Sequence, residues 1–161
     1  MVADSHIRIR LARDADAPEL IELIAAVYAE YPGCILDVAG ETPHLLRPAS
    51  SFANWNGRLW VAEGEDGVAG CGGYRDDDGG FELKHLYVAT ARRRQGLASR
   101  FMTQVETDAR RRGRSSIELW TDSRFDLAHR FYEARGYIPS GRRRELFDLS
   151  RTLEYHYWRR P

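Results

Sequence analysis

The stretch RRQGLA, residues 93–98, is the most informative part of this chain because it joins a strand-like pattern of apolar residues to a helical one. Residues 81–88 before it form an apolar, strand-like run, and Leu97 begins a helical spacing of apolar residues. A strand-to-helix turn leaves the first helical amides without intrahelical partners, so they can donate N–H groups to an anion. Small side chains at Gly96 and Ala98 let the anion approach, and the arginines add positive charge. The junction therefore predicts a phosphate-binding loop.

Hydrophobic periodicity along the rest of the chain predicts a sheet flanked by helices. Strand-like runs cover residues 6–11, 58–63, 68–75, 81–88, 117–119, 137–146 and 152–158. Helical runs cover residues 16–31, 97–112 and 124–135, and 34–56 reads as a loop with helical turns. The sequence Asp16-Ala-Pro-Glu19 has the form of a capping box. We expect an α/β fold, α+β in some classifications, with a mixed, mostly antiparallel sheet of about seven strands and helices on both faces.

The length and cysteine content favour one self-sufficient domain. A chain of 161 residues is expected to form a single domain over residues 1–161, large enough to bury a core without disulfides or metal. Cys34 and Cys71 are far apart, and no histidine cluster has the spacing of a zinc site. The sequence therefore predicts reduced thiols without a catalytic role, and no metal.

The charge balance excludes several classes of partner. The chain has 24 Lys and Arg and 24 Asp and Glu, so its formal net charge is zero. Without a basic field, no nucleic-acid partner is expected, and no apolar segment approaches membrane-spanning length, so no membrane partner is expected either. Residues 1–9 lack the apolar segment of a signal peptide, which favours a cytoplasmic protein. An exposed edge strand in the final hairpin offers one route to a homodimer.

Two motifs carry a resemblance to a known family. The R-x-x-G-x-A pattern at residues 93–98 is similar to the Arg/Gln-x-x-Gly-x-Gly/Ala loop of the GNAT superfamily of N-acyltransferases, and residues 82–88 resemble that family's fourth strand. The A-x-x-F-Y-x-x-x-G-Y pattern at residues 128–137 resembles the helix that follows its fifth strand. The two motifs occur in the family's order and spacing, which a chance match seldom achieves.

The resemblance implies acetyl-CoA, or another acyl-CoA, as co-substrate, held where the fourth and fifth strands separate. Pantetheine is a chain of amides, so the strand's end can pair with it as a short extra strand would, while the pyrophosphate lies over the first helical amides. The cofactor-binding residues implied in this way are Leu86, Tyr87, Val88, Arg93, Arg94, Gln95, Gly96, Leu97, Ala98 and Ser99. One position departs from the family, since many members have Asn where this chain has Phe125.

Acetyl transfer to an amine also needs a proton donor for the departing thiolate. Tyr132 matches the family's tyrosine near the cofactor sulfur, and a phenol keeps its proton at neutral pH. The resemblance thus implies Tyr132 as the catalytic acid. The competing interpretation is that Tyr132 belongs to the apolar face of its helix, with its hydroxyl reaching a partner in the core.

Two residues are candidates for the base that takes the proton from the amine. Glu82 lies eleven residues before Arg93, the interval at which some protein-acetylating members carry their base. It also fits an ordinary strand glutamate paired with Lys84 on the same face, which would weaken it as a base. His85 is the second candidate, because an imidazole titrates near neutral pH.

The acceptor is the least defined part of the prediction. A small-molecule primary amine is favoured, because zero net charge gives no steering toward highly cationic proteins. Arg124 and residues 142–144 offer an anchor for a carboxylate. Two alternatives stay open: acetylation of a protein or peptide amine, and a non-catalytic acyl-CoA-binding module. A nucleotide-binding protein is disfavoured because the loop lacks Gly-Lys-Ser/Thr.

Overall fold

The strands form one mixed sheet in the computed structural model, which describes residues 6–77 and 79–161. The strands are β1 Arg8–Leu11, β2 Arg58–Gly64, β3 Gly67–Asp76, β4 Gly80–Val88, β5 Ser116–Asp122, β6 Ile138–Glu145 and β7 Leu153–Arg159. Their order across the sheet is β1-β2-β3-β4-β5-β7-β6. β4 and β5 run parallel, whereas every other neighbouring pair in the described chain is antiparallel. The predicted mixed, mostly antiparallel sheet is confirmed.

Helices cover both faces of this sheet, as predicted. They are α1 Ala17–Tyr28, α2 Pro48–Asn54, α3 Leu97–Arg111 and α4 Asp126–Ala134. On one face, Leu20 and Leu23 of α1 and Phe52 of α2 belong to an apolar cluster with β2 and β3. On the other face, α3 and α4 pack against β4 and β5 through a larger cluster. The segment expected to be a loop with helical turns contains α2 and a 3₁₀ turn, Pro43–Leu46.

The capping box expected at the start of α1 is wrong. Arg10 donates to both carboxylate oxygens of Asp16 at 2.8 Å, and the backbone N–H of Arg13 donates to the same carboxylate at 2.7 Å. A bidentate pair with a cationic guanidinium is stronger than a single bond from a backbone N–H, so the carboxylate turns toward β1 instead of the helix. No side-chain hydrogen bond caps α1 at Asp16.

The candidate site owes its position to the separation of β4 and β5. The two strands pair only from Gly80 with Ser116 to Glu82 with Glu118. Beyond this point β4 carries an irregularity opposite β3, where His85 adopts a left-handed backbone with φ of 55°. A bulge bends and twists its strand, so the carboxyl half of β4 leaves β5 and opens a cleft.

The structure bears on three other expectations. The described residues include no helix that is long and apolar enough to cross a bilayer. The expectation that residues 1–9 lack a signal peptide falls partly on residues 1–5, which lie outside the described part of the chain. Within the described ranges, no three His, Cys, Asp or Glu residues are grouped so that they could hold a metal ion. β6 lies at the edge of the sheet with all its residues exposed, and the homodimer and the single domain over 1–161 both stay predictions.

Candidate active site

A cavity of about 400 Å³ lies where β4 and β5 separate. Its walls come from the end of β4, the loop that follows, the first turn of α3, one face of α4 and the end of α1. Nine of the ten predicted cofactor-binding residues line it, namely Leu86, Tyr87, Val88, Arg93, Arg94, Gly96, Leu97, Ala98 and Ser99. Gln95 does not line the cavity. The loop and the strand end are neighbours in sequence, and the packing of α4 beside them brings its motif to the same cavity.

The loop between β4 and α3 presents unsatisfied helical amides to this cavity. Gly96 is the N-terminal cap residue of α3, with φ of 77°, and no side chain caps the helix. A β-carbon added at Gly96 would meet no atom within 4 Å. The free N–H groups and the positive end of the α3 dipole together form a site for an anion such as a pyrophosphate.

The arginines of the loop divide into two roles. Arg93 pairs with Glu30 at 2.8 Å and donates its Nε–H to the carbonyl oxygen of Val88 at 3.2 Å. These contacts tie the loop to β4 and to the chain just after α1. Arg94 is exposed, lines the cavity and has no ion-pair partner in residues 6–77 and 79–161. Arg94 is thus the arginine whose charge is available to a bound anion.

Tyr132 lies on the α4 side of the cavity and is only 6% exposed. Its ring packs against Tyr137 and Tyr157, with centroids 6.0 and 6.2 Å away. The hydroxyl has no hydrogen-bond partner among the described residues, contrary to the interpretation in which it reaches a partner in the core. Burial raises the pKa of Tyr132, so the phenol keeps its proton at physiological pH.

Glu82 lies outside the cavity and forms two ion pairs. Its carboxylate contacts Lys84 Nζ at 2.8 Å and Arg75 at 3.5 Å, and the residue is 7% exposed. The pairing with Lys84 that the sequence suggested therefore exists. Its carboxylate is thus occupied by two cations and is not directed into the cavity.

His85 also lies outside the cavity, although its neighbours Leu86 and Tyr87 line it. Its Nε2 atom is 2.6 Å from Nε2 of His44, and the Cys71 thiol donates to its carbonyl oxygen. Burial lowers the pKa of His85 to about 3 and that of His44 to about 4, with a smaller contribution from the charge of Lys84 in each case. Both rings are therefore neutral at neutral pH.

The pairing of His44 with His85 was missed by the sequence analysis. His44 lies on the 3₁₀ turn Pro43–Leu46, within the segment whose periodicity was least clear. The two residues are 41 positions apart, and only the packing of this turn against β4 brings them together. No local pattern in the sequence could have indicated the contact.

The neutral histidine pair predicts a loss of stability in mild acid. In the unfolded chain both imidazoles bind protons as the pH falls through their ordinary pKa, whereas the native rings do so only near pH 4 and 3. Because the unfolded state binds more protons in this window, stability decreases as the pH falls. Between pH 7 and 5 the expected loss is up to about 2 kcal/mol per imidazole. Urea denaturation at both pH values checks this, and the double variant H44Q/H85Q should show a smaller pH dependence.

Phe125 closes the cleft at the position where the sequence departs from the family. Its ring lies 4.7 Å from that of Tyr31 and 6.0 Å from that of Tyr28, measured between centroids. Phe125 also lines the cavity. Aromatic packing thus stands where many members of the family carry a polar amide.

The chain resembles known acetyltransferases in sequence and in fold. Residues 21–137 match the family model described as the acetyltransferase (GNAT) family. The match covers most of the chain and includes both motifs and the whole loop between β4 and α3. A comparison with curated proteins finds no match.

Solved acetyltransferases share the fold. A GNAT-family acetyltransferase from Staphylococcus aureus Mu50 has a TM-score of 0.79 at 21% identity, covering 96% of this chain and 98% of that chain. The PaiA N-acetyltransferase from Thermoplasma acidophilum, solved with coenzyme A, has a TM-score of 0.76 at 15% identity, covering 96% and 99%. The protein yncA from Salmonella typhimurium is assigned as an acetyltransferase and was solved with its cofactor acetyl-CoA. It has a TM-score of 0.72 at 19% identity, covering 97% of this chain and 94% of that chain. At these identities the likeness establishes the fold alone.

Proposed function

This chain belongs to the GNAT acetyltransferase family, and we propose that it transfers an acetyl group from acetyl-CoA to the primary amine of a small metabolite. One observation carries the proposal: a cavity joins the uncapped helix start at Gly96 to the phenol of Tyr132, which has no hydrogen-bond partner among the described residues. Helical amides that can bind phosphate at one end of the cavity, and a proton donor at the other end, suit a phosphorylated thioester such as acetyl-CoA.

Acetyl-CoA is proposed to lie along the cavity with its diphosphate over residues 96–99. The N–H groups of the first turn of α3 and the guanidinium of Arg94 bind the phosphate oxygens. The amides of pantetheine pair with the exposed backbone of residues 86–88, because β5 no longer occupies that edge of β4. Two of the solved relatives contain acetyl-CoA or coenzyme A, which supports this choice of co-substrate.

The proposed reaction is direct attack of the amine within a ternary complex. The amine nitrogen forms a bond to the thioester carbon, and the carbon–sulfur bond breaks. Tyr132 donates its hydroxyl proton to the departing thiolate, and solvent returns a proton to the phenolate. Burial raises the pKa of the phenol, and the same burial makes a thiolate beside it more basic, so the transfer stays feasible.

Two residues are proposed as alternative proton acceptors for the amine. Glu82 is negatively charged but carries two cationic partners, Lys84 and Arg75. His85 is neutral and its ring lies 6.1 Å from that of the cavity residue Tyr87, between centroids. Of the two, His85 lies directly next to residues of the cavity, whereas Glu82 is the stronger electrostatic attractor for an ammonium group.

The charges of the chain bear on the choice of acceptor, and the arginines that could anchor a carboxylate are already engaged. Arg124, a candidate anchor for a carboxylate, makes a bidentate pair with Asp122. Arg144 pairs with Glu154, and Arg142 lies over the ring of Trp120. With a net charge of zero, the chain also has no field that would steer a highly cationic protein to the cleft.

The function is tested by following thiol release from acetyl-CoA across a panel of primary amines, with mass detection of the product. The expected result is amine-dependent release with a product heavier by one acetyl group. A non-catalytic module would bind coenzyme A in calorimetry without release for any acceptor. Transfer confined to protein or peptide amines would favour the alternative acceptor class.

A further inference from the structure

A row of aromatic rings crosses the face of β4 beside the cavity. In order of contact these rings are Tyr31, Phe125, Tyr28, Tyr87, His85, His44 and Trp55, and we call this row the aromatic belt. Neighbouring centroids are between 4.7 and 6.1 Å apart. The residues come from α1, the start of α4, β4, the 3₁₀ turn Pro43–Leu46 and the end of α2. Only the tertiary structure assembles them.

The belt is continuous with the proposed acetyl-CoA cavity. Tyr31, Tyr87 and Phe125 line the cavity and belong to the belt as well. From Tyr87 the belt continues through the histidine pair to Trp55. Every residue of the belt is half-buried, whereas Phe52, which lies beneath it, is 1% exposed. The belt is therefore a partly buried aromatic surface on top of a packed core.

The belt carries no net charge at neutral pH. Burial lowers the pKa values of His44 and His85, so both imidazoles are neutral. Burial raises the pKa values of Tyr28 and Tyr87, so both phenols keep their protons. The hydroxyls of Tyr28 and Tyr87 also form a hydrogen bond with each other, with their oxygen atoms 3.4 Å apart.

Three cations beside the belt are each paired with a carboxylate. Lys84 pairs with Glu82 at 2.8 Å. Asp122, near Tyr28, pairs with Arg124 at 2.8 Å. Glu30 and Arg93 form the same kind of pair beside Tyr31. A ligand that brings a carboxylate to this wall therefore finds these three cations already paired.

We propose, on the premise of the acetyl transfer proposed above, that the aromatic belt binds the body of the acceptor and selects a primary amine with a neutral aromatic or apolar body. Flat rings stack on other rings or on hydrocarbon, and their faces attract an ammonium group as it enters. A carboxylate would lose its hydration without gaining an unpaired cation from Lys84, Arg93 or Arg124, and a body that ends in a second ammonium would bury less apolar surface against the rings.

A matched set of amines tests this selection. We use 2-phenylethylamine, phenylalanine, which adds a carboxylate to the same body, and 1,5-diaminopentane, which replaces the ring by a second amine. We expect kcat/KM for 2-phenylethylamine to exceed that for each of the others by about tenfold or more. An equal or higher value for phenylalanine or the diamine would overturn the inference while leaving acetyl transfer intact.

Variants of Trp55 assign the effect to the belt. Trp55→Ala should raise KM for 2-phenylethylamine about tenfold, with the affinity for coenzyme A unchanged. Trp55→Phe keeps a ring and should restore most of the loss. The matched control is Trp120→Ala, which removes a partly exposed tryptophan that lies under Arg142 and Arg144 and outside the belt. If Trp120→Ala raises KM as much as Trp55→Ala, the belt is not the acceptor wall.

Failure of the function and failure of the inference give different results. Absence of thiol release with every amine, while coenzyme A still binds, contradicts the proposed function and removes the premise of the inference. Release with amines that show no preference for an aromatic body contradicts the inference alone. Calorimetric titration of the protein–coenzyme A complex with 2-phenylethylamine adds a readout that does not need turnover, and the inference requires saturable binding that Trp55→Ala weakens.

Discussion

Gly96→Glu is expected to reduce the affinity for acetyl-CoA by about 100-fold or more, equivalent to about 2.7 kcal/mol. Gly96 lines the cavity at the start of α3, and the space around a new β-carbon is open. A glutamate therefore extends into the region where the diphosphate is proposed to bind. It adds a negative charge there and competes with the phosphate oxygens for the helical amides.

Gly113→Glu is the matched control for this change. Gly113 follows the other end of α3, has φ of 66° and, like Gly96, has no atom within 4 Å of a new β-carbon. Both substitutions place an L-residue in the left-handed region, at a cost of about 1–2 kcal/mol. A negative charge is unfavourable at the carboxyl end of a helix and favourable at its start. Gly113→Glu should therefore be the less stable variant, yet it should bind acetyl-CoA as the parent does.

Isothermal calorimetry with coenzyme A and thermal denaturation of both variants separate binding from folding. If Gly96→Glu binds coenzyme A as tightly as the parent protein does, the diphosphate does not bind at this loop. Equal losses in the two variants would indicate a general effect of strain rather than a site.

Tyr132→Phe is expected to lower kcat about 100-fold or more while KM for acetyl-CoA stays within about threefold. The substitution removes one hydroxyl and keeps the ring that packs against Tyr137 and Tyr157. Because the hydroxyl has no partner among the described residues, no hydrogen bond is lost and the free energy of unfolding should stay the same or rise. A hydroxyl that contributes to kcat but not to the free energy of unfolding indicates that its residue has a functional role.

Tyr157→Phe provides the control within the same ring cluster. The Tyr157 hydroxyl donates to Glu133 at 3.0 Å, and Tyr157 does not line the cavity. This variant should lose about 0.5–1.5 kcal/mol of stability and keep its kcat. The two variants are thus expected to show opposite effects on stability and on rate.

Steady-state kinetics with a saturating amine and urea denaturation provide both readouts. Full turnover in Tyr132→Phe would exclude Tyr132 as the acid, and the protonation of the thiolate would then fall to solvent. A loss of kcat in Tyr157→Phe equal to that in Tyr132→Phe would indicate disturbance of the ring cluster instead.

Much of the fold and of the cofactor-binding part of the site follows from local patterns. Strands β2 to β4 and helix α3 begin and end within about two residues of their expected limits, because alternation, helical spacing and glycine turns act over a few positions. The loop at residues 93–98 and the end of β4 are neighbours in sequence. They therefore share the cavity through local geometry alone.

Contacts between distant segments were decided by tertiary structure. Asp16 satisfies the spacing of a helix cap, but Arg10 captures its carboxylate once β1 and α1 meet. His44 and His85 share a hydrogen bond across 41 positions, and the charge states of both rings follow from that burial.

The sequence by itself determined the glycine-led start of α3, the position of Tyr132 on its helix and the order of strands and helices along the chain. Only the tertiary structure decided that β7 lies between β5 and β6, that Arg75 joins Lys84 as a second cation at Glu82, and that seven rings from five segments form one belt. The physical reason is the range of the forces involved. Backbone propensity and turn geometry act between near neighbours, whereas desolvation and ion pairing depend on which segments the hydrophobic core brings together.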